Sequence, residues 1–331
     1  MAKISVILNS YNQDEFFEEA ITSVLTQSYQ DFELIISENG STDNSKQILN
    51  KYMHHKKIKI LNYVENECVS KRFNQALNEC EGEFVSFLYS DDIISKDKFK
   101  IQIQEFEKLD SDYGVVYGNM KIFNQYTNKS FTRSVVKSDG WCLKQQLDDI
   151  ISKGHVDMVS PLSRKECFNN YQFLENVFAE GEGIFLRIAL SYKFKYLSHT
   201  FAYFRDTRFN NGKALIKNLS FHLETLKKLQ QDKIFEKKDY LTAINKYKFN
   251  FQQNIAWGNL RANGETKNSK KIFFDILKLE NLNFFNLRTF CILILLCFPN
   301  LILKIFNIMM NKILNVKTNN ISIENYGGNN K

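Results

Sequence analysis

Only 2 prolines and 13 glycines occur in 331 residues, too few for a collagen repeat, a Pro/Gly-rich disordered chain or a turn-rich all-β fold. Long helices and filled layers are expected instead, and 29 Phe with 15 Tyr supply the bulk to fill them. Cysteine is sparse and irregular: Cys68, Cys80, Cys142, Cys167, Cys291 and Cys297 include no C-x-x-C pair. Neither a zinc site nor a disulfide framework is indicated, and the thiols read as small apolar groups of a reducing compartment. The apolar run at 4–8 is too short for a signal-peptide core and no small-residue cleavage site follows it, so folding on the cytoplasmic side is expected. A basic stripe is also missing. The net charge of +7 rests almost entirely on lysine and does not point to nucleic acid.

With 44% hydrophobic and 24% charged residues the chain is globular, and its length predicts roughly two domains. Residues 3–9 read as a buried strand, and a helical pattern follows over 15–27 with Phe16, Ala20, Ile21, Val24 and Leu25 on one face. A strand at 32–36, a turn-and-cap cluster at 37–43 and a helix at 44–53 come next. The alternation continues with strands at 58–63, 84–88 and 115–117 and helices at 71–80 and 96–109. Strand-helix alternation of this kind specifies a largely parallel sheet. Strands are also expected at 194–197 and 201–204, helices near 144–152 and 182–192, and a helical stretch over 216–280.

The C-terminal stretch differs in kind. Residues 290–298 are uninterrupted apolar sequence apart from Thr289 before them, but Pro299, Asn300 and Lys304 break the continuation to residue 310, a poor fit to the roughly 20 apolar residues of a spanning helix. An interfacial helix is the better fit, with Arg288, Lys304, Lys312 and Lys317 facing anionic headgroups. A core helix docking on the first domain is the alternative. The expected layout is a sheet domain at 1–215 (halves 1–118 and 119–215), a helical extension at 216–285, a membrane-associating segment at 286–316 contacting the surface through 288–312, and a disordered tail at 317–331.

In an open α/β sheet the ligand crevice lies beyond the carboxyl ends of the strands, which singles out the loops 9–14, 37–43 and 89–95. In the last, Asp91 and Asp92 follow an apolar strand. Adjacent carboxylates resist desolvation unless a cation accompanies them, and Mg²⁺ or Mn²⁺ is commonly held by one or two carboxylates together with substrate phosphates. A helix cap is the plainer use of the same residues. Glu38 could accept hydrogen bonds from a nucleobase imide or a ribose hydroxyl, and Tyr11 could stack on a base; a turn and a half-buried aromatic are their structural counterparts.

Taken in order, these elements resemble the family 2 glycosyltransferases of the GT-A fold. The opening strand ends in Asn9-Ser10-Tyr11-Asn12, and Ala20-Ile21-Thr22-Ser23-Val24-Leu25-Thr26-Gln27 matches a helix of the form A-I-x-S-x-L-x-Q. The usual D-D-G-S-T-D appears as Glu38-Asn39-Gly40-Ser41-Thr42-Asp43. Asn74, residues 82–88 and Asp91-Asp92 look like the later block ending in D-x-D-D. The resemblance covers about 4–110. It implies transfer of a sugar from a nucleotide diphosphate sugar, with UDP the expected nucleotide, to a glycan or lipid-linked glycan acceptor in cell-surface glycan synthesis. The implied cofactor is a divalent cation, Mn²⁺ or Mg²⁺, and the implied location is peripheral on the inner face of the cell membrane. By that resemblance Ser10, Tyr11, Asn12 and Glu38 hold the nucleotide, Arg72 approaches the diphosphate, and Asp91 and Asp92 contact ribose and metal.

The chain departs from the pattern at Tyr89, Asn39 and Lys96, which replace two acids and a proline. An inverting transferase also needs a carboxylate base. The matching segment, 179–187, carries Glu180 and Glu182 around Gly181, where the family's base usually stands; Glu182 is the expected replacement and Glu180 the alternative. Tyr203-Phe204-Arg205 resembles a later Y-R element, which puts Arg205 in an acceptor-side loop, and His155 is a candidate acceptor contact. Two other readings remain: a sugar nucleotidyltransferase, whose G-x-G-T-R opening this chain lacks, and a degenerate nucleotide-sugar-binding protein.

Overall fold

The structure is a computed structural model, and it describes residues 3–127, 129–133, 135–153, 155–175, 180–207, 245 and 249. The chain divides into two compact units, Met1–Ile244 and Asn245–Lys331. All of the strands and helices delimited below belong to the first. The expected boundaries at 215 and 285, the membrane-associating segment and the tail lie outside the described residues.

The strands are β1 (Ile4–Ser10), β2 (Phe32–Asn39), β3 (Ile58–Tyr63), β4 (Phe84–Tyr89), β5 (Ile93–Ile94), β6 (Tyr113–Asn124), β7 (Lys129–Arg133), β8 (Asp139–Gly140), β9 (Leu162–Arg164) and β10 (Lys193–Arg205). The helices are α1 (Asp14–Leu25), α2 (Ser45–Asn50), α3 (Val69–Leu77), α4 (Lys98–Phe106), α5 (Leu143–Lys153), α6 (Cys167–Asn170) and α7 (Glu180–Ile188). The strands form one sheet whose main path runs β3-β2-β1-β4-β9-β6-β10-β5.

The first half follows the sequence pattern. β1 is buried at every residue, as a parallel strand covered on both faces must be, and it pairs in parallel with β2 on one side and β4 on the other. The chain runs outward through β2 and β3 and then returns to the far side of β1. The strand order therefore reverses between β1 and β4, the point where such sheets open a ligand crevice. In register, Asn9 stands between Ser37 and Tyr89, so the loops after β1, β2 and β4 leave the same rim.

The second half is mixed where a mostly parallel sheet was expected. β9, three residues long, lies antiparallel to both β4 and β6, and the hairpin strand β7 and short β5 and β8 are antiparallel as well. β6 and β10 are parallel to each other and far longer than the short runs expected, with register shifts in β10 where the polar Ser198-His199-Thr200 interrupts its apolar pattern. An aromatic cluster fastens the two halves. The ring of Phe87 on β4 lies 4.9 Å from Phe73 on α3, 5.4 Å from Phe168 on α6 and 5.2 Å from Phe173, arrangements that add about 1 kcal/mol per pair to the burial itself.

Candidate active site

The loops after β1 and β2 are laced together by reciprocal bonds. Asn12 takes a left-handed conformation, φ +50°, which a short amide tolerates, and its Oδ1 accepts the Thr42 amide at 2.8 Å while its own N–H donates to Ser41 Oγ at 3.1 Å. Asp43 Oδ2 accepts the Asp14 amide at 2.9 Å, and Asp14 Oδ2 in turn accepts the Asn44 amide at 3.2 Å. Burial pushes the Asp43 carboxyl up, but these bonds and those from Ser45 outweigh it and hold the group below the usual carboxylate range. Tyr11 follows the buried Ser10 and is partly in solvent.

Two of the residues expected to touch the nucleotide are held by protein partners. Glu38 is buried, and its carboxylate turns back to accept the amides of Gly40 at 3.2 Å and Ser41 at 2.6 Å. That turn depends on Gly40 at φ +76°, where a Cβ would sit 2.7 Å from the Glu65 carbonyl carbon. Arg72 is likewise buried: its Nε donates to Asn39 Oδ1 at 2.6 Å, its Nη1 to Gln75 Oε1 at 2.9 Å and its Nη2 to the Glu65 carbonyl at 2.5 Å, with the guanidinium 3.6 Å from the centre of the Tyr63 ring. Asn39 also donates to Asn66 and Glu67. An aspartate there could accept but not donate, so the asparagine that departs from the family pattern is what ties β2 to the loop before α3.

The acidic loop is the electrostatic centre. Asp92 is 1% exposed; its Oδ1 accepts the Arg205 amide at 3.1 Å, and its Oδ2 is buried without a hydrogen-bond partner among the described residues. Burial raises the Asp91 carboxyl above its ordinary value, and burial, then Asp91, then Asp157 raise that of Asp92 well above it. The Arg205 side chain braces this loop. Its Nε donates to the Asp91 carbonyl at 3.1 Å, its Nη1 to Gln125 Oε1 and its Nη2 to Glu19 Oε2, while Phe16 and Phe123 flank the guanidinium at 4.6 and 4.7 Å. His155 faces Arg133, with Nε2 3.4 Å from Nη2.

A buried carboxylate oxygen without a partner is rare, because desolvating it without compensation costs several kcal/mol. The donor set fits a hard divalent cation. Two carboxylates with raised proton affinity gain from a nearby positive charge, and coordination would be completed by phosphate oxygens and water. Among the described residues no group of three His, Cys, Asp or Glu is arranged as a closed metal site, and an ion shared with a substrate needs none. Asn9 Oδ1, Ser10 Oγ and Ser37 Oγ are also buried without partners at the same rim. The backbone of α7 places Glu180 and Glu182 in one helical turn.

Sequence reasoning missed Asp157, Glu19 and Gln125. Asp157 holds a tight turn through the amides of Val159 at 2.8 Å and Ser160 at 2.7 Å; the Asp-x-x-Ser spacing was its one signal. Glu19 and Gln125 are separated from Arg205 by 186 and 80 residues and left none.

Comparison with known proteins identifies the first part of the chain. Residues 5–156 match the description "Glycosyl transferase family 2". They are a family 2 glycosyltransferase domain. An uncharacterized glycosyltransferase of Haemophilus influenzae is 36% identical over 104 residues, 31% of this chain and 42% of that protein. A Bacillus subtilis protein named as a putative teichuronic acid biosynthesis glycosyltransferase, TuaG, is 37% identical over 102 residues, 30% of this chain and 40% of that one. The chain thus spans less than half the length of either relative. Among solved structures, S. aureus TarS in complex with UDP-GlcNAc has a TM-score of 0.64 at 20% identity, covering 84% of this chain and 81% of that one. A mannosyltransferase from Pyrobaculum calidifontis with GDP-Man and Mn²⁺ gives 0.57 at 15% identity, covering 94% and 85%. The fold of the family 2 domain is GT-A.

Proposed function

We propose that the chain is an inverting glycosyltransferase that moves a sugar from a nucleotide diphosphate sugar, with UDP the expected nucleotide, to an acceptor hydroxyl during cell-surface glycan synthesis. The observation that carries this reading is the unpartnered Asp92 Oδ2 in a loop braced by Arg205 at the strand-order reversal. The family 2 domain, the teichuronic acid role named for TuaG and the nucleotide sugars held by TarS and the Pyrobaculum mannosyltransferase support it.

Tyr11 offers its ring to the base, Ser10 and Asn12 shape the rim, and Glu38 and Arg72 keep that rim rigid from below. Asp91 and Asp92 would hold a Mn²⁺ or Mg²⁺ ion, which supplies charge neutralisation for the departing diphosphate. In the single displacement the acceptor oxygen bonds to the anomeric carbon, the bond from that carbon to the diphosphate oxygen breaks, and the hydroxyl proton passes to a carboxylate of α7, Glu182 ahead of Glu180. The apolar, lysine-flanked segment 288–312 supports a place on the inner membrane surface, where a lipid-linked glycan would be met. Among the described residues no helix is long and apolar enough to cross a membrane.

The test is a thermal-shift screen of nucleotide sugars with and without Mn²⁺. A ligand at 100 times its Kd stabilises by about 2.7 kcal/mol. The wild type should respond to a UDP-sugar only with metal present, and Asp92→Asn should not respond at all; an equal shift in that variant overturns the site assignment.

A further inference from the structure

Arg205 is the last residue of β10, and its own atoms touch the acidic loop twice: the amide donates to Asp92 Oδ1 and Nε to the Asp91 carbonyl, each at 3.1 Å. Where Arg205 sits therefore governs where both aspartates sit. Its side chain is 3% exposed, and a guanidinium taken this far out of water needs a partner of opposite charge. Helix α1 supplies one. Phe16 and Glu19 are three residues apart and so share a face of α1; the guanidinium carbon lies 4.6 Å from the centre of the Phe16 ring, and Glu19 Oε2 accepts from Nη2 at 2.5 Å.

The same helix reaches Arg205 by a second route. Glu15, one turn before Glu19, accepts from Gln125 Nε2 at 3.1 Å, and Gln125 Oε1 accepts from Arg205 Nη1. The Phe123 ring of β6 adds a further contact, 4.7 Å from the guanidinium carbon. Arg205 is thus held from α1 and from β6 while it holds the acidic loop.

Charge makes Glu19 more than a brace. Asp91 and Asp92 attract a divalent cation, whereas a guanidinium bonded to their loop repels one. Glu19 cancels that repulsion, and the attraction of both aspartates is left for the ion. It does so without being a ligand, because Oε2 is engaged by Arg205. With its side chain 57% exposed, Glu19 adds little to stability through the pair, and its field at the loop is open to screening by salt. Glu18 offers an internal comparison: it carries the same charge one residue away, on another face of the helix, where it pairs with Lys51 at 2.9 Å.

We propose that Glu19 is a positioning residue for the donor site: by holding Arg205 and neutralising it, Glu19 sets the affinity of the Asp91–Asp92 loop for a divalent cation. This rests on the metal-assisted reading of the transferase. The experiment titrates Mn²⁺ into the full chain, with and without UDP, and follows the free ion by electron paramagnetic resonance. Glu19→Gln keeps the shape and an acceptor oxygen for Nη2 but loses the charge. At an ionic strength of about 20 mM its Mn²⁺ affinity should be at least about fivefold below wild type, and at about 0.5 M that ratio should fall to about twofold or less as the charges are screened. Glu19→Asp, which keeps the charge, should recover part of the loss, and Glu18→Gln should bind Mn²⁺ within about twofold of wild type. A loop that was merely loosened would bind weakly at every ionic strength, so the salt dependence decides the matter even in a less stable variant. Equal binding by Glu19→Gln and wild type, an equal loss in Glu18→Gln, or a deficit that salt leaves unchanged overturns the proposal. Wild type that takes up Mn²⁺ while Glu19→Gln matches it loses only the role of Glu19, whereas wild type that takes up none, with or without UDP, loses the metal-assisted reading as well.

Discussion

Lys98, the first residue of α4, is fully buried, and among the described residues its ammonium donates only to Ser86 Oγ at 2.6 Å and the Pro161 carbonyl at 3.1 Å. Burial lowers its pKa from the ordinary lysine value to about 7, with Asp157 acting in the opposite direction. A lysine whose pKa is lower folded than unfolded holds its proton more readily unfolded. The penalty is therefore fully present below about 7, and stability rises with pH until the penalty vanishes near the ordinary lysine value of 10.5. A gap of some three and a half units, at about 1.36 kcal/mol each, makes this residue cost about 4 kcal/mol at pH 7 and about 1 kcal/mol at pH 9.5. Lys98→Met keeps the length and removes the charge. The partners left behind are not stranded, because Ser86 Oγ already lies 3.3 Å from the Pro161 carbonyl and can donate to it. The stability of the variant relative to wild type should be about 3 kcal/mol more favourable at pH 7 than at pH 9.5. Taking the difference between the two proteins cancels the tyrosines and cysteines that titrate in the same range. Guanidinium unfolding followed by far-ultraviolet circular dichroism at the two pH values measures it. A difference between the proteins that is the same at both pH values, or that grows in favour of the variant as pH rises, refutes the reasoning.

Two further outcomes are expected. Gly40→Ala forces a side chain onto a φ of +76° and into the Glu65 backbone, which should destabilise by about 1–3 kcal/mol and weaken nucleotide-sugar binding together; a denaturation midpoint equal to wild type would remove the role given to the Glu38 turn. Glu182→Gln should lower the transfer rate by at least about a hundredfold with donor binding intact, and if Glu180→Gln alone has that effect, the base is Glu180. Donor binding with no transfer in the wild type, across a broad set of acceptors, would instead favour a binding protein that has lost catalysis.

The parallel half of the sheet could be read from the chain because each of its strands is an apolar run followed by polar turn residues and a helix with one apolar face. β9 could not. Three residues, Leu162 to Arg164, have no periodicity to detect, yet they reverse the sheet direction between β4 and β6. Sequence divides β10 in two because Ser198, His199 and Thr200 look like a loop, whereas parallel pairing with β6 carries the strand through them with shifts in register. The acidic loop was legible because carboxylates after an apolar strand are conspicuous on solvation grounds. The fates of Glu38 and Arg72 were not. Each depends on a backbone turn or an amide supplied by another residue, Gly40 in one case and Asn39 in the other, and residue type alone does not reveal such partners.

The two antiparallel steps through β9 have a consequence for how such a protein can diverge. Reversing direction twice returns β6 and β10 to the polarity of β4, so the hairpin and the acidic loop emerge from one rim while belonging to different parts of the chain. The turn that follows Asn124 can then lengthen at small entropic cost while the laced loops after β1 and β2 stay as they are. Exchange of this hairpin between related chains is a route to variation at that rim that leaves the β1–β4 half of the sheet unaltered.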